Sequence, residues 1–135
     1  MSALGVKVAN PQQAVVAITG DGGFMFGVQE LATAVQYRIA VTTVIFDNDA
    51  YGNVLRDQNR RFGGRRIGSE LINPDFVKLA QSFGAKAYQA TSPESLCAAL
   101  KVAIAEEQPC VIHVPVDPDT EVSPWPLILP TPPRA

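Results

Sequence analysis

The chain has only two cysteines, one tryptophan and one histidine. It also has no apolar run near the roughly 20 residues needed to cross a bilayer. Cys97 and Cys110 have no metal-ligand spacing and lie in apolar segments, so they read as buried thiols. His113 stands inside an apolar run with no acid or cysteine directly beside it in sequence. It therefore reads as a structural or edge residue rather than a base. A net charge of −2 offers no attraction for nucleic acid or a membrane surface. No apolar stretch of the kind a secretory leader needs follows Lys7, so a cytoplasmic protein is expected. At 135 residues, 47% of them apolar, the chain is long enough for one domain with a real core.

Two polar turns organise what is present. Gly20-Asp21-Gly22-Gly23 follows the apolar run Ala14–Ile18, and Asp47-Asn48-Asp49-Ala50-Tyr51-Gly52 follows Val41–Phe46. Short β-branched runs closed by Gly or Asp/Asn predict buried strands of a parallel sheet, here over Gln13–Thr19 and Val41–Phe46. Between them, Phe24, Val28, Leu31, Ala32 and Val35 recur at intervals of three or four, predicting one helix over Gly23–Tyr37. Strand, helix and strand make a βαβ unit, whose right-handed crossover brings both turns to the carboxyl edge of the sheet. Open α/β sheets bind ligands at that edge.

The residue types suggest which ligand. Glycines at 20, 22 and 23 let backbone N–H groups approach a bulky anion, and a helix N-terminus favours phosphate. Asp21 places a carboxylate in the same spot, which is repulsive unless a cation lies between. A hard divalent ion with oxygen ligands resolves the conflict. Asp21 would give a carboxylate oxygen, Asn48 an amide oxygen and Ala50 its backbone carbonyl, with octahedral Mg²⁺ as the expected ion. A calcium-loop reading of Asp47, Asp49 and Gly52 fails, because Tyr51 and Gln58 occupy ligand positions. A dinucleotide-binding reading fails at Met25, where the third glycine should stand.

Further along, Gly52–Gly68 is polar and basic, with Arg56, Arg60, Arg61, Arg65 and Arg66 interrupted by Gly63-Gly64. It reads as a mobile loop or interface, with a solvated face and anion recognition as alternatives. Asn73-Pro74-Asp75 is expected to start a helix through Phe83, with Asn73 as cap. Lys86–Gln89 reads as a short strand. Ser92-Pro93-Glu94 opens a helix with Leu96, Ala99, Leu100, Ala103 and Ile104 facing the core, and Cys110–Val116 reads as the last strand. Met25 and Phe26 are expected to pack under the site, and Glu30 to be structural or exposed. Residues 1–117 are taken as the domain and 118–135 as a proline-rich tail in which Trp125 suggests a docking contact.

Gly20-Asp21-Gly22 with Asn48 twenty-seven positions after Asp21 resembles the thiamine-diphosphate-binding motif. Gln29–Val35 and Tyr51-Gly52 are similar to the acetolactate synthase and 2-oxo acid decarboxylase group. The resemblance runs from Ala3 to about Trp125 and concerns only the carboxyl-terminal, diphosphate-binding domain of such enzymes. One departure is Asp47, where the family carries the first Asn of a pair. The resemblance implies an α/β fold, a three-layer parallel-sheet sandwich, truncated at its start because the Gly-rich loops around the thiamine rings lie upstream in the family.

By the same resemblance, thiamine diphosphate is the cofactor, with Mg²⁺ held by Asp21, Asn48 and Ala50. Gly20, Asp21, Gly22, Gly23, Asn48, Ala50, Tyr51, Gly52, Asn53 and Val54 are the expected cofactor-binding residues, with Leu55 as further apolar cover. The family's catalytic Glu comes from a pyrimidine-binding domain that this chain lacks, so no catalytic residue is assigned. The chain is expected to be silent without that domain or a second subunit, and to be a homo-oligomer if complete. Its substrate would be a small 2-oxo acid. The alternatives are a non-catalytic assembly module, a truncated remnant, or an unrelated Mg²⁺-dependent phosphate-site domain. The last is disfavoured because Tyr88–Thr91 offers no charged group at a strand end.

Overall fold

The computed structural model describes residues 2–118. The expected tail lies, beyond Pro118, outside the described residues, and so does Trp125. Four parallel strands form one sheet in the order β1-β2-β4-β3: β1 (Val15–Gly20), β2 (Val41–Asp47), β3 (Lys86–Gln89) and β4 (Cys110–Pro115). Among the described residues six helices flank or extend from it: α1 (Ser2–Ala9), α2 (Asp21–Met25), α3 (Glu30–Gln36), α4 (Gly52–Arg61), α5 (Phe76–Ser82) and α6 (Pro93–Glu106). Because every pairing is parallel, Gly20, Asp47, Gln89 and Pro115 all end at the same edge of the sheet.

The core has two sides, which gives the three layers expected. On one face Phe24, Leu31, Phe76 and Ala80 pack against Ile45 and Val111, while Leu4 of α1 meets Ala34 and Val41. Phe24 and Phe76 meet edge to face at 5.7 Å. Such a pair contributes about 0.5–1.5 kcal/mol beyond the area it buries. On the other face α6 lays Ala103, with Leu96, Ala99 and Leu100, over Val44, Cys110 and Ile112. A reciprocal Ser92–Ser95 capping box starts α6 and left-handed Glu107 ends it.

Several expectations require correction. The strand β1 is not buried on both faces: α6 packs on β2, β3 and β4, and Ile18 of β1 remains 74% exposed. The single helix over Gly23–Tyr37 is two helices beginning at Asp21. Between them the chain runs in tighter turns, with Gly27 N–H bonded to Phe24, Glu30 N–H to Gly27 and Leu31 N–H to Val28. Met25 and Phe26 are consequently exposed, Phe26 stacking on Tyr51 with ring centroids 6.3 Å apart, and Phe24 is the one of the three buried in the core. Ile104 is likewise exposed on α6.

The segment read as a loop, Gly52–Gly68, begins with the regular helix α4. The chain after α4 is tied back to it by Gln58. Its Nε2 donates to the Ile67 carbonyl, and its Oε1 accepts from Ile67 N–H and from the buried Ser69 hydroxyl. Asn73 does not cap α5. Asp75 does, accepting from the Lys78 N–H at 3.0 Å, because it is the polar residue immediately before the helix.

Candidate functional site

The turn after β1 passes directly into α2, so Asp21 is the first helical residue and its side chain turns inward, 2% exposed. The turn after β2 is closed by its own first residue: Asp47 Oδ1 accepts from the Asp49 N–H at 3.1 Å, and Asp49 takes a left-handed φ of 53°. Aspartate favours such turns and tolerates that conformation. The closed turn delivers the Ala50 N–H to Asp21 Oδ2 at 3.1 Å. The two polar turns singled out in the sequence therefore meet, joined by a buried hydrogen bond.

A third segment crosses over both. Tyr51 N–H donates to Ser69, and Leu71 N–H to Asp49, pairing residues 69–71 antiparallel to the second turn. Two residues on, Asn73 Nδ2 donates to Asp21 Oδ2 at 2.7 Å and to Asp47 Oδ1 at 2.8 Å, with Asp49 Oδ1 at 3.3 Å. Three carboxylates around one amide nitrogen leave no doubt about which end of the amide faces them. On its far side Asp47 Oδ2 accepts from His113 Nε2 at 2.8 Å. His113 is thus not without an acid. Ile45 pairs with His113 and Asp47 with Pro115, so Asp47 and His113 are diagonal neighbours on one sheet face.

These contacts separate the two carboxyls. Burial pushes Asp21 above the usual aspartate range, opposed by hydrogen bonds from Asn73 and the Gly22 N–H and reinforced by Asp47 beside it. Burial also acts upward on Asp47, but hydrogen bonds from Asp49 N–H, His113 and Asn73 outweigh it and hold that carboxyl low. Asp21 is thus a buried carboxyl whose charged form is disfavoured chiefly by burial.

The space around Asp21 is open on two sides. A cavity of about 340 Å³ is lined by Gly20, Asp21, Asn48, Ala50, Gly52 and Asn53, with Phe46 and Val116 as apolar walls. A second opening of about 250 Å³ is lined by Gly22, Gly23, Tyr51 and Val54 together with Gly20, Asp21, Ala50, Gly52 and Asn53. Each cofactor-binding residue expected from the sequence lines one opening or both. Leu55 lines neither. The glycines differ in why they are needed. A methyl group on Gly22 would stand 2.4 Å from Tyr51 Cε1, whereas one on Gly20 would meet nothing closer than 3.8 Å.

The donors fit a hard divalent cation. Asp21 supplies a buried carboxylate in need of positive charge, and Asn48 and Ala50 supply neutral oxygens from the turn bonded to it. No group of three or more His, Cys, Asp or Glu side chains among the described residues is arranged to hold a metal, so any cation would rely on these mixed oxygens.

Two functional candidates escaped the sequence reading. Nothing in the sequence beside Asn73 marks it as more than a helix cap. His113 had one available signal: β2 and β4, read as adjacent parallel strands, place it one pleat from Asp47.

The family described as "Thiamine pyrophosphate enzyme, C-terminal TPP binding domain" matches residues 2–114. A probable acetolactate synthase large subunit from Methanococcus aeolicus is 44% identical over 123 residues, covering 90% of this chain and 20% of that protein. A 3D-(3,5/4)-trihydroxycyclohexane-1,2-dione hydrolase from Shouchella clausii is 37% identical over 124 residues, covering 87% of this chain and 20% of that protein. The crystal structure of benzoylformate decarboxylase from Polynucleobacter necessarius superposes with a TM-score of 0.78 at 30% identity, over 90% of this chain and 22% of that one. The chain spans about a fifth of the length of the relatives it matches. The chain belongs to the thiamine pyrophosphate enzymes and corresponds to their C-terminal TPP-binding domain.

Proposed function

We propose that the chain binds thiamine diphosphate with Mg²⁺ as the diphosphate half-site of a 2-oxo acid decarboxylase or acetolactate synthase-like carboligase, a lyase or transferase. The observation that carries this reading is the meeting of Asp21 with the Asn48–Ala50 turn above the glycine-lined start of α2. Asp21, Asn48 and the Ala50 carbonyl hold the ion. Gly22 and Gly23 present backbone N–H groups to the diphosphate, and Tyr51, Gly52, Asn53 and Val54 wall the second opening. When bound, the cofactor supplies the electron sink for loss of carbon dioxide from a 2-oxo acid. The chain's own residues bind and orient it.

The reading assigns activation of the cofactor to a pyrimidine-binding domain or second subunit. The chain alone is therefore catalytically silent, and the complete assembly is an oligomer. The exposed Ile18 on β1 supports an interface there, since an uncovered apolar sheet face favours burial against a partner. A non-catalytic assembly module remains the second reading on that same observation. No helix among the described residues is long and apolar enough to cross a membrane, and a cytoplasmic location is part of the proposal.

Calorimetric titration of thiamine diphosphate, with and without Mg²⁺, tests the reading. Binding should require Mg²⁺ and vanish in Asp21→Ala. Absence of binding by the folded, unaltered chain removes the half-site and leaves the assembly module. Pyruvate decarboxylation by the purified chain alone would overturn the silence.

A further inference from the structure

We infer that Asn73 is the positioning residue of the cation site: its amide ties Asp21 to Asp47 and thereby holds the Asp21 carboxylate against the Asn48–Ala50 turn. The inference rests on the cation reading above and extends it to a residue from a separate segment of the chain.

Asp21 and Asp47 both lie within hydrogen-bond reach of one nitrogen atom, Asn73 Nδ2, at 2.7 and 2.8 Å. Carboxylates that close repel in a partly buried site. The Asn73 amide has two hydrogens and gives one to each, turning a repulsive pair into a bridged one.

The position of each oxygen then follows. Asp21 Oδ2 accepts from both Asn73 Nδ2 and the Ala50 N–H, which fixes the carboxylate against the second turn. Asp47 is itself immobilised, with Oδ1 also accepting from the Asp49 N–H and Oδ2 from His113. The bridge thus ties Asp21 to a carboxylate that cannot swing.

The chemistry of an amide matters here. A lysine or arginine at this place would bridge the carboxylates with a full positive charge, competing with the cation. A neutral amide fixes geometry and leaves the negative charge in place. Groups in this relation to a metal-binding carboxylate strongly influence affinity without touching the ion. Asn73 is held in position by pairing of residues 69–71 with the second turn and by the start of α5 three residues later.

Two measurements test this on the 135-residue chain. The first reads the side-chain carboxyl ¹³C resonances of Asp21 and Asp47 in cation-free protein. Asn73→Ala should move both, while unchanged resonances overturn the inference. The second titrates Mg²⁺ with thiamine diphosphate as the probe. Asn73→Ala should weaken binding roughly 10- to 100-fold, and Asn73→Gln, which keeps the amide on a longer stem, should recover part of the loss.

A lower unfolding temperature with unchanged affinity in a folded variant marks a merely structural role and overturns the inference. If Asn73→Ala does not fold, Asn73→Gln carries both measurements, with a displaced resonance pair and reduced affinity expected. Absence of binding by the unaltered chain overturns the proposed function and the cation half of this inference. The carboxyl resonances then decide whether Asn73 holds the two aspartates.

Discussion

The ring of Tyr51 lies so close to Gly22 that a methyl group on the glycine would stand 2.4 Å from Tyr51 Cε1 and 3.2 Å from Leu71 Cδ1. Gly22 is therefore required by packing as well as by any anion beside it. We expect Gly22→Ala to destabilise the chain by about 1–3 kcal/mol, the usual result of overfilling a tight site. Urea denaturation measures it. Gly20→Ala is the contrast, since its added methyl meets only the Phe46 carbonyl at 3.8 Å, and it should cost clearly less. Equal losses at the two positions would contradict this account of Gly22.

Asp21 should oppose stability when no cation is present. Its carboxyl is raised above the ordinary value of 3.8, chiefly by burial. Between that value and its folded value, the folded chain holds more protons than the unfolded one, so stability from this group falls as pH rises. Asp21→Asn should therefore be the more stable protein at neutral pH. Its advantage should grow through that window and then level off. Denaturation midpoints from pH 3 to pH 8 in the presence of a chelator would show the trend, and an advantage that shrinks with rising pH would refute it.

Asp47 and His113 should behave as a coupled pair. Both side chains are mostly buried, 11% and 16% exposed, and their contact is 2.8 Å. His113→Ala leaves the Asp47 carboxylate without that donor and should cost about 1–3 kcal/mol. A double-mutant cycle with Asp47→Ala should return a coupling of about 1 kcal/mol or more. Additive losses would mean that the contact contributes nothing.

The two cysteines should differ sharply in reactivity. Cys97 is exposed, whereas Cys110 is buried and its thiol is pushed up to about 12 by burial, with Glu106 adding to the effect. At pH 8 Cys110 remains a protonated, inaccessible thiol. A chromogenic disulfide reagent should therefore find one fast thiol in native protein and a second only after denaturation. Two fast thiols would place Cys110 at the surface. The sequence reading of both cysteines as buried holds for Cys110 and fails for Cys97, whose helix α6 presents it to solvent.

Residues adjacent in the chain were sufficient to locate much of this site. The run Val41–Phe46 is legible as a strand from its own side chains, and Asp47 closes the following turn on a backbone group two residues away. The glycines beside Asp21 and the parallel sheet were legible for the same reason: strand ends and turns depend on local sterics and on the period of apolar residues.

What lay beyond local chemistry depended on distant segments meeting. Ile18 carries the same β-branched signature as its neighbours in β2, yet it is exposed because α6 packs on the other strands. Asn73 sits 52 residues from Asp21, and His113 sits 66 residues from Asp47. An asparagine before proline and aspartate looks like a helix cap, and a histidine in an apolar strand looks structural. Only the sheet register and the antiparallel pairing of residues 69–71 bring these donors to the aspartates. Once those carboxylates are buried, they must find hydrogen-bond partners wherever the fold supplies them.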